Sequence, residues 1–124
     1  MPELEPARRG RGPIVAGFSG RGFRVDDSFR DGGLILTPLA ALPWDAETIS
    51  LEGLDAILSL DPAPEFLLLG TGAKLRRPPA PFVQALEARG IGVEPMDSRA
   101  AARAWGVLRG EDRWIAAALL PTDA

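Results

Sequence analysis

The apolar positions of this chain follow two regimes. Up to about Pro43, short apolar stretches alternate with glycine and charge, the punctuation of strands and turns. Ile14–Phe18, Phe23–Val25 and Gly33–Leu36 read as strands, separated by Ser19–Gly22 and Asp26–Gly32, with Asp31-Gly32-Gly33 as a turn signal. From Ser50 the spacing becomes helical. Ser50 can cap a short helix through Leu60 that places Leu51, Leu54, Ile57 and Leu58 on one face, and Asp61-Pro62-Ala63-Pro64 ends it.

Phe66–Leu69 is a continuous apolar run bounded by turn residues, the pattern of a strand buried on both faces. Pro79 or Pro81 then opens a helix to Arg89 with Phe82, Val83 and Leu86 as its apolar stripe, and Gly90 stops it. Ile91–Glu94 is the next strand. Asp97 or Ser98 caps a helix to Arg109, closed by Gly110, and Arg113–Leu120 is the last strand, with Pro121 ending the ordered chain. The C-terminal half therefore reads β-α-β-α-β behind a β-rich N-terminal third. The expected fold is a layered α/β domain whose first two C-terminal strands are parallel. Trp105, Trp44 and Trp114 are expected in the core, with Trp44 beside Pro43 a candidate for partial exposure. Gly106, inside a helix, suggests close packing there.

Composition narrows the chemistry. The 124 residues contain no cysteine, histidine or tyrosine. That excludes disulfide frameworks, thiol nucleophiles, His-assisted serine or cysteine catalysis, and Cys/His zinc sites. Acid–base work would fall to Asp, Glu, Lys or Arg, which weighs against an enzyme, and no spaced carboxylate set marks a metal site. No cofactor or metal is expected. The 46% hydrophobic and 25% charged fractions are those of one globular domain, set at 13–121 behind a flexible tail at 1–12. In that tail Arg8, Arg9 and Arg11 are offset by Glu3, Glu5 and two prolines. No apolar run approaches the roughly 18 residues of a membrane span, so no membrane insertion and a cytoplasmic location are expected. A net charge of −3 shows no nucleic-acid footprint.

Charge is unevenly placed. Residues 41–65 carry six acids and no Lys or Arg, whereas Lys74, Arg76 and Arg77 cluster without a nearby acid. The loop Gly70-Thr71-Gly72-Ala73-Lys74-Leu75-Arg76-Arg77 follows a buried strand and precedes a helix. In open α/β sheets ligands bind at that edge, and exposed N–H groups with cations alongside favour an anion. The pattern lacks the spacing of a P-loop or a dinucleotide fingerprint. Read plainly, Gly70 and Gly72 make a tight strand exit. Asp97, Ser98, Arg99 and Arg103 fall at the next strand end, either as a helix cap with a basic stripe or as the second wall of the same crevice.

Phe66–Gly72, the cations after it, Gly90–Ser98, Ala101, Trp105–Leu108 and Arg113–Pro121 together carry a specific likeness. The chain resembles the small α/β domain family that includes the mitochondrial respiratory complex I assembly factor 3 and the adipogenesis-associated domain protein, and many bacterial and archaeal members of unassigned biochemistry. The resemblance implies a three-layer fold with a mixed central sheet. It also implies a non-catalytic assembly or accessory role through a protein partner, of the kind that serves a respiratory membrane complex. It brings no catalytic residues. Ser98 stands where Thr is frequent, and Trp105-Gly106 where an aromatic residue is often followed by Asn. A small-anion-binding protein or enzyme using Gly70–Arg77 is the alternative.

Overall fold

A computed structural model describes residues 12–124. The tail expected at 1–12 therefore lies outside the described residues except for Gly12. The elements are β1 (Val15–Ser19), β2 (Gly22–Val25), β3 (Ser28–Arg30), β4 (Gly33–Leu36), β5 (Ala41–Trp44), α1 (Asp55–Leu58), β6 (Phe66–Gly70), α2 (Ala80–Glu87), β7 (Gly92–Met96), α3 (Ser98–Gly110) and β8 (Ala116–Leu119). A mixed five-stranded sheet has the order β5-β4-β8-β6-β7, and β1-β2-β3 form a separate antiparallel meander. β6 is parallel to both β7 and β8, while β4 is antiparallel to β5 and β8.

Strand alternation divides the core between the two faces of the large sheet. Ile35, Leu67, Leu69, Ala116 and Ala118 meet Leu54, Ile57, Phe82 and Leu86 on the α1/α2 side. Leu34, Leu36, Leu68, Ala117 and Leu119 meet Ala101, Ala102 and Trp105 of α3 and Phe23 and Val25 of β2 on the other. This is the expected three-layer α/β arrangement with a mixed central sheet. β8 lies at its centre, and its Ala-Ala-Ala-Leu sequence is buried throughout. Such small side chains let both outer layers approach the sheet.

Several local expectations are corrected. The helix expected from Ser50 is only the single turn Asp55–Leu58, with Leu54 at its N-cap. The chain first wraps around Trp44, whose indole donates to the Glu52 carbonyl at 2.9 Å, and Gly53 turns it at φ +86°. Trp44 is consequently buried, while Trp114 is only half-buried and donates to the Pro62 carbonyl at 2.7 Å. Asp26–Gly32 is not a mere separator, because Val25 pairs with Ser28 across a tight Asp26-Asp27 turn and starts β3. β5 was unmarked because proline removes a ladder donor, which an edge strand tolerates. Nothing packs closely at Gly106, where a Cβ would find no heavy atom within 4 Å. The ordered chain also passes Pro121. Thr122 is buried, with its amide bonded to the Arg21 carbonyl at 3.0 Å and its hydroxyl to the Gly20 carbonyl at 3.1 Å.

Candidate functional site

β6 and β7 are parallel neighbours, and the helices that follow them lie on opposite faces of the sheet. Their carboxyl ends therefore diverge, the situation in which open α/β sheets form a ligand crevice. Gly70–Arg77 leaves β6 there, and Asp97-Ser98 leaves β7.

Here the crevice is closed from within. The Ser98 hydroxyl accepts from the Gly72 amide at 2.9 Å and donates to the Leu120 carbonyl at 2.7 Å, while the Ser98 amide donates to the Gly72 carbonyl at 2.8 Å. One short side chain thus ties β6, α3 and the end of β8 together. Gly70 accommodates it, since a Cβ at that position would lie 2.7 Å from the Ser98 oxygen. Gly72, at φ +104°, runs against the Ala124 carbonyl, which accepts from the Ala73 amide at 3.0 Å.

Thr71 is equally committed. Its amide donates to the Met96 carbonyl at 2.8 Å. Its hydroxyl donates to the Lys74 carbonyl at 2.6 Å, with the Met96 carbonyl at 3.3 Å, and accepts from the Arg76 amide at 3.0 Å. Thr71 and Ser98 are both 0% exposed. The amides of Thr71, Gly72, Ala73 and Arg76 are therefore all used inside the protein. Those four amides are not available to an anion at this loop.

Asp97 is the N-cap of α3, accepting from the Ala100 amide at 3.0 Å. The five cations of the sequence pattern divide into two groups. The guanidinium groups of Arg99 and Arg103 lie 5.5 and 5.7 Å from the Phe18 ring and stack on it, which directs them to β1. Lys74, Arg76 and Arg77 are exposed, and no described carboxylate pairs with them.

Sequence reasoning missed the surface next to this cluster. Ile49, Ser50 and Leu51 face Pro79, Pro81 and Phe82 across a groove of about 280 Å³. Leu75, alone between cations, is 64% exposed. The available signals were an apolar residue isolated in a basic loop and the run Pro78-Pro79-Ala80-Pro81 beside it.

With this fold and site, the chain belongs to the family described as a protein of unknown function (DUF498/DUF598), matched over residues 15–120. It is 36% identical over 116 residues to the NADH dehydrogenase (ubiquinone) 1 alpha subcomplex assembly factor 3 of Danio rerio, covering 91% of this chain and 67% of that protein. Of the Mus musculus protein of the same name it spans 60%, at 31% identity over 86% of this chain. It is also 36% identical to an uncharacterised protein of Rhodobacter capsulatus, over 98% of this chain and 94% of the other. The crystal structure of an outer membrane protein from Bartonella henselae superimposes with a TM-score of 0.83 at 28% identity, covering 92% of this chain and 98% of that one. A Bordetella pertussis solution structure described as a Mth938-like domain has a TM-score of 0.80 at 24% identity over 99% and 93% of the two chains, and shows the shared fold. Among the described residues no helix is long and apolar enough to cross a membrane.

Proposed function

We propose that this protein is a non-catalytic accessory factor that binds another protein during assembly of a respiratory membrane complex. The observation that carries this reading is the kinship with assembly factor 3, which extends over 91% of this chain and so includes every layer of the domain. The internally bonded crevice agrees with it. Where a doubly wound enzyme would leave polar groups free for substrate, Thr71, Gly72 and Ser98 use theirs on one another and on neighbouring strands. A small-anion site would rest on Lys74, Arg76 and Arg77, without the amides of Thr71, Gly72, Ala73 and Arg76.

The test is removal of the gene from native cells, followed by native-gel quantification of the respiratory NADH dehydrogenase and its NADH-driven electron transfer. We expect the assembled complex to fall several-fold and to be restored by the wild-type chain. A complex present in unchanged amount would overturn the reading. A thermal-shift screen with phosphate-containing ligands addresses the anion alternative, which predicts stabilisation that disappears in the Arg76→Ala/Arg77→Ala variant.

A further inference from the structure

Continuation of the five-stranded sheet into a neighbouring chain is interrupted at both edges. Pairing in the β4–β5 hairpin alternates from the Thr37 amide, which bonds the Ala40 carbonyl at 2.9 Å. Pro43, opposite Leu34, is then an outward position with no N–H to offer. On β7, Gly92 donates to the Glu65 carbonyl and Met96 accepts from the Thr71 amide, so Pro95 is likewise outward and without a donor. Association with another chain falls to side-chain surfaces.

Two such surfaces on this molecule complement each other. One is a projection. Leu75 is 64% exposed and stands between Lys74 and Arg76, with Arg77 next to them, all three cations exposed. The other is a recess of about 280 Å³, with Ile49, Ser50 and Leu51 on one wall and Pro79, Pro81 and Phe82 on the other. In the sequence Glu47 and Glu52, both exposed, bracket the Ile49–Leu51 wall. No Lys or Arg lies between residues 41 and 65. A leucine set among cations thus matches an apolar recess set among carboxylates.

The projection does not fill the recess of its own chain, whose lining contains none of residues 74–77. It nevertheless lies close to it, because Leu75 precedes Pro79 by four residues, within about 14 Å along the chain. A projection beside its own complement is the arrangement a two-fold interface requires, since rotation about an axis between them places each on the other. The loop is also held in shape beforehand. The Thr71 hydroxyl bonds the Lys74 carbonyl and the Arg76 amide, and prolines at 78, 79 and 81 stiffen the exit, so little backbone freedom is lost on association.

We propose that two copies of this chain pair about such an axis. Each places Leu75 in the groove of the other and sets Lys74, Arg76 and Arg77 against the other's Glu47 and Glu52. This interface is separate from the accessory role proposed above and does not depend on it.

The experiment is sedimentation of the full chain between about 10 μM and 1 mM, with amide spectra across the same range. We expect a monomer at the low end and a dimer at the high end, with concentration-dependent shifts at Leu51, Leu75, Arg76 and Phe82. The dimer should weaken with salt. Arg76→Glu/Arg77→Glu and Glu47→Arg/Glu52→Arg should each raise the dimer Kd at least about tenfold, because each sets like charges against one another. An equimolar mixture of the two variants should recover the dimer, since both contacts then join opposite charges. That recovery also shows that neither variant had merely misfolded. Leu75→Ala should weaken the dimer while leaving the dilute spectrum that of a folded chain. A wild-type chain that stays monomeric at 1 mM, a dimer indifferent to both charge reversals, or a mixture that fails to associate would overturn the proposal.

Discussion

The two halves of the Gly70–Arg77 loop differ more than any other adjacent segments of the molecule. Gly70, Thr71 and Gly72 are buried and bonded to the two flanking strands and to α3, whereas Lys74, Leu75, Arg76 and Arg77 stand exposed. The inner half fixes geometry and the outer half displays chemistry. A loop whose tip were only a solvated turn would not need a buried hydroxyl bonded both to the carbonyl at one side of that tip and to the amide at the other.

The sharpest way to break this contrast is to give the inner half a side chain. Gly72→Ala must hold φ +104° and meets the Ala124 carbonyl, and should destabilise by about 2–4 kcal/mol. A urea midpoint that does not move would show that the inner half is not constrained. Ser98→Ala leaves the Gly72 amide and the Leu120 carbonyl without their partner, at about 1–3 kcal/mol. Thr71→Val keeps the shape and removes the hydroxyl, with a similar cost of about 1–3 kcal/mol. Hydrogen exchange distinguishes the two. Loss of protection should concentrate at Gly72 in the first and at Arg76 in the second.

How far the sequence foretold this follows from what kind of signal each part carries. Phe66–Leu69, Phe82 with Leu86, and Trp105 declare themselves by periodicity, because burial dictates residue type locally. The parallel pairing of β6 and β7 was legible from the βαβ pattern. β3 and β5 were not, since a strand of three or four residues held by one neighbour has little periodicity, and Pro43 argues against β5 until its edge position is known. The direction of Arg99 and Arg103 depended on Phe18, remote in sequence. The groove needed the same long-range information, because Ile49–Leu51 and Pro79–Phe82 meet only after folding.

Gly106→Ala sharpens the contrast from the other side. It is the same substitution as Gly72→Ala, placed inside α3, where a Cβ meets nothing within 4 Å. It should stabilise by about 0.5–1 kcal/mol through helix propensity alone. A loss of stability would reveal a requirement at Gly106 that the packing does not explain. The outer half of the loop predicts near-silence in the same assay. Arg76→Glu/Arg77→Glu should stay within about 0.5 kcal/mol of wild type, as expected for exposed positions with no carboxylate partner among the described residues. A larger destabilisation would mean that the two arginines serve the fold, and the division of the loop would fail.

The smallest effect belongs to an exposed cation that does have a partner. Arg113 holds Glu65 at 2.7 Å at the opposite end of β6, with the two side chains 40% and 49% exposed. Its hydrogen bond lowers the Glu65 pKa below the usual carboxylate value, against a smaller opposing effect of burial, and raises that of Arg113. A depressed carboxylate pKa stabilises the fold above the ordinary Glu value, and that contribution is lost as pH falls through the folded value. Glu65→Gln should therefore lower stability slightly at neutral pH, and the gap to wild type should close in acid and narrow in high salt. A gap that persisted unchanged at acid pH would assign the effect to packing. Set beside the silence predicted for Arg76 and Arg77, this pair calibrates the comparison. A cation that serves the fold leaves a pH- and salt-dependent trace in stability, and one held for a partner leaves its trace only in binding.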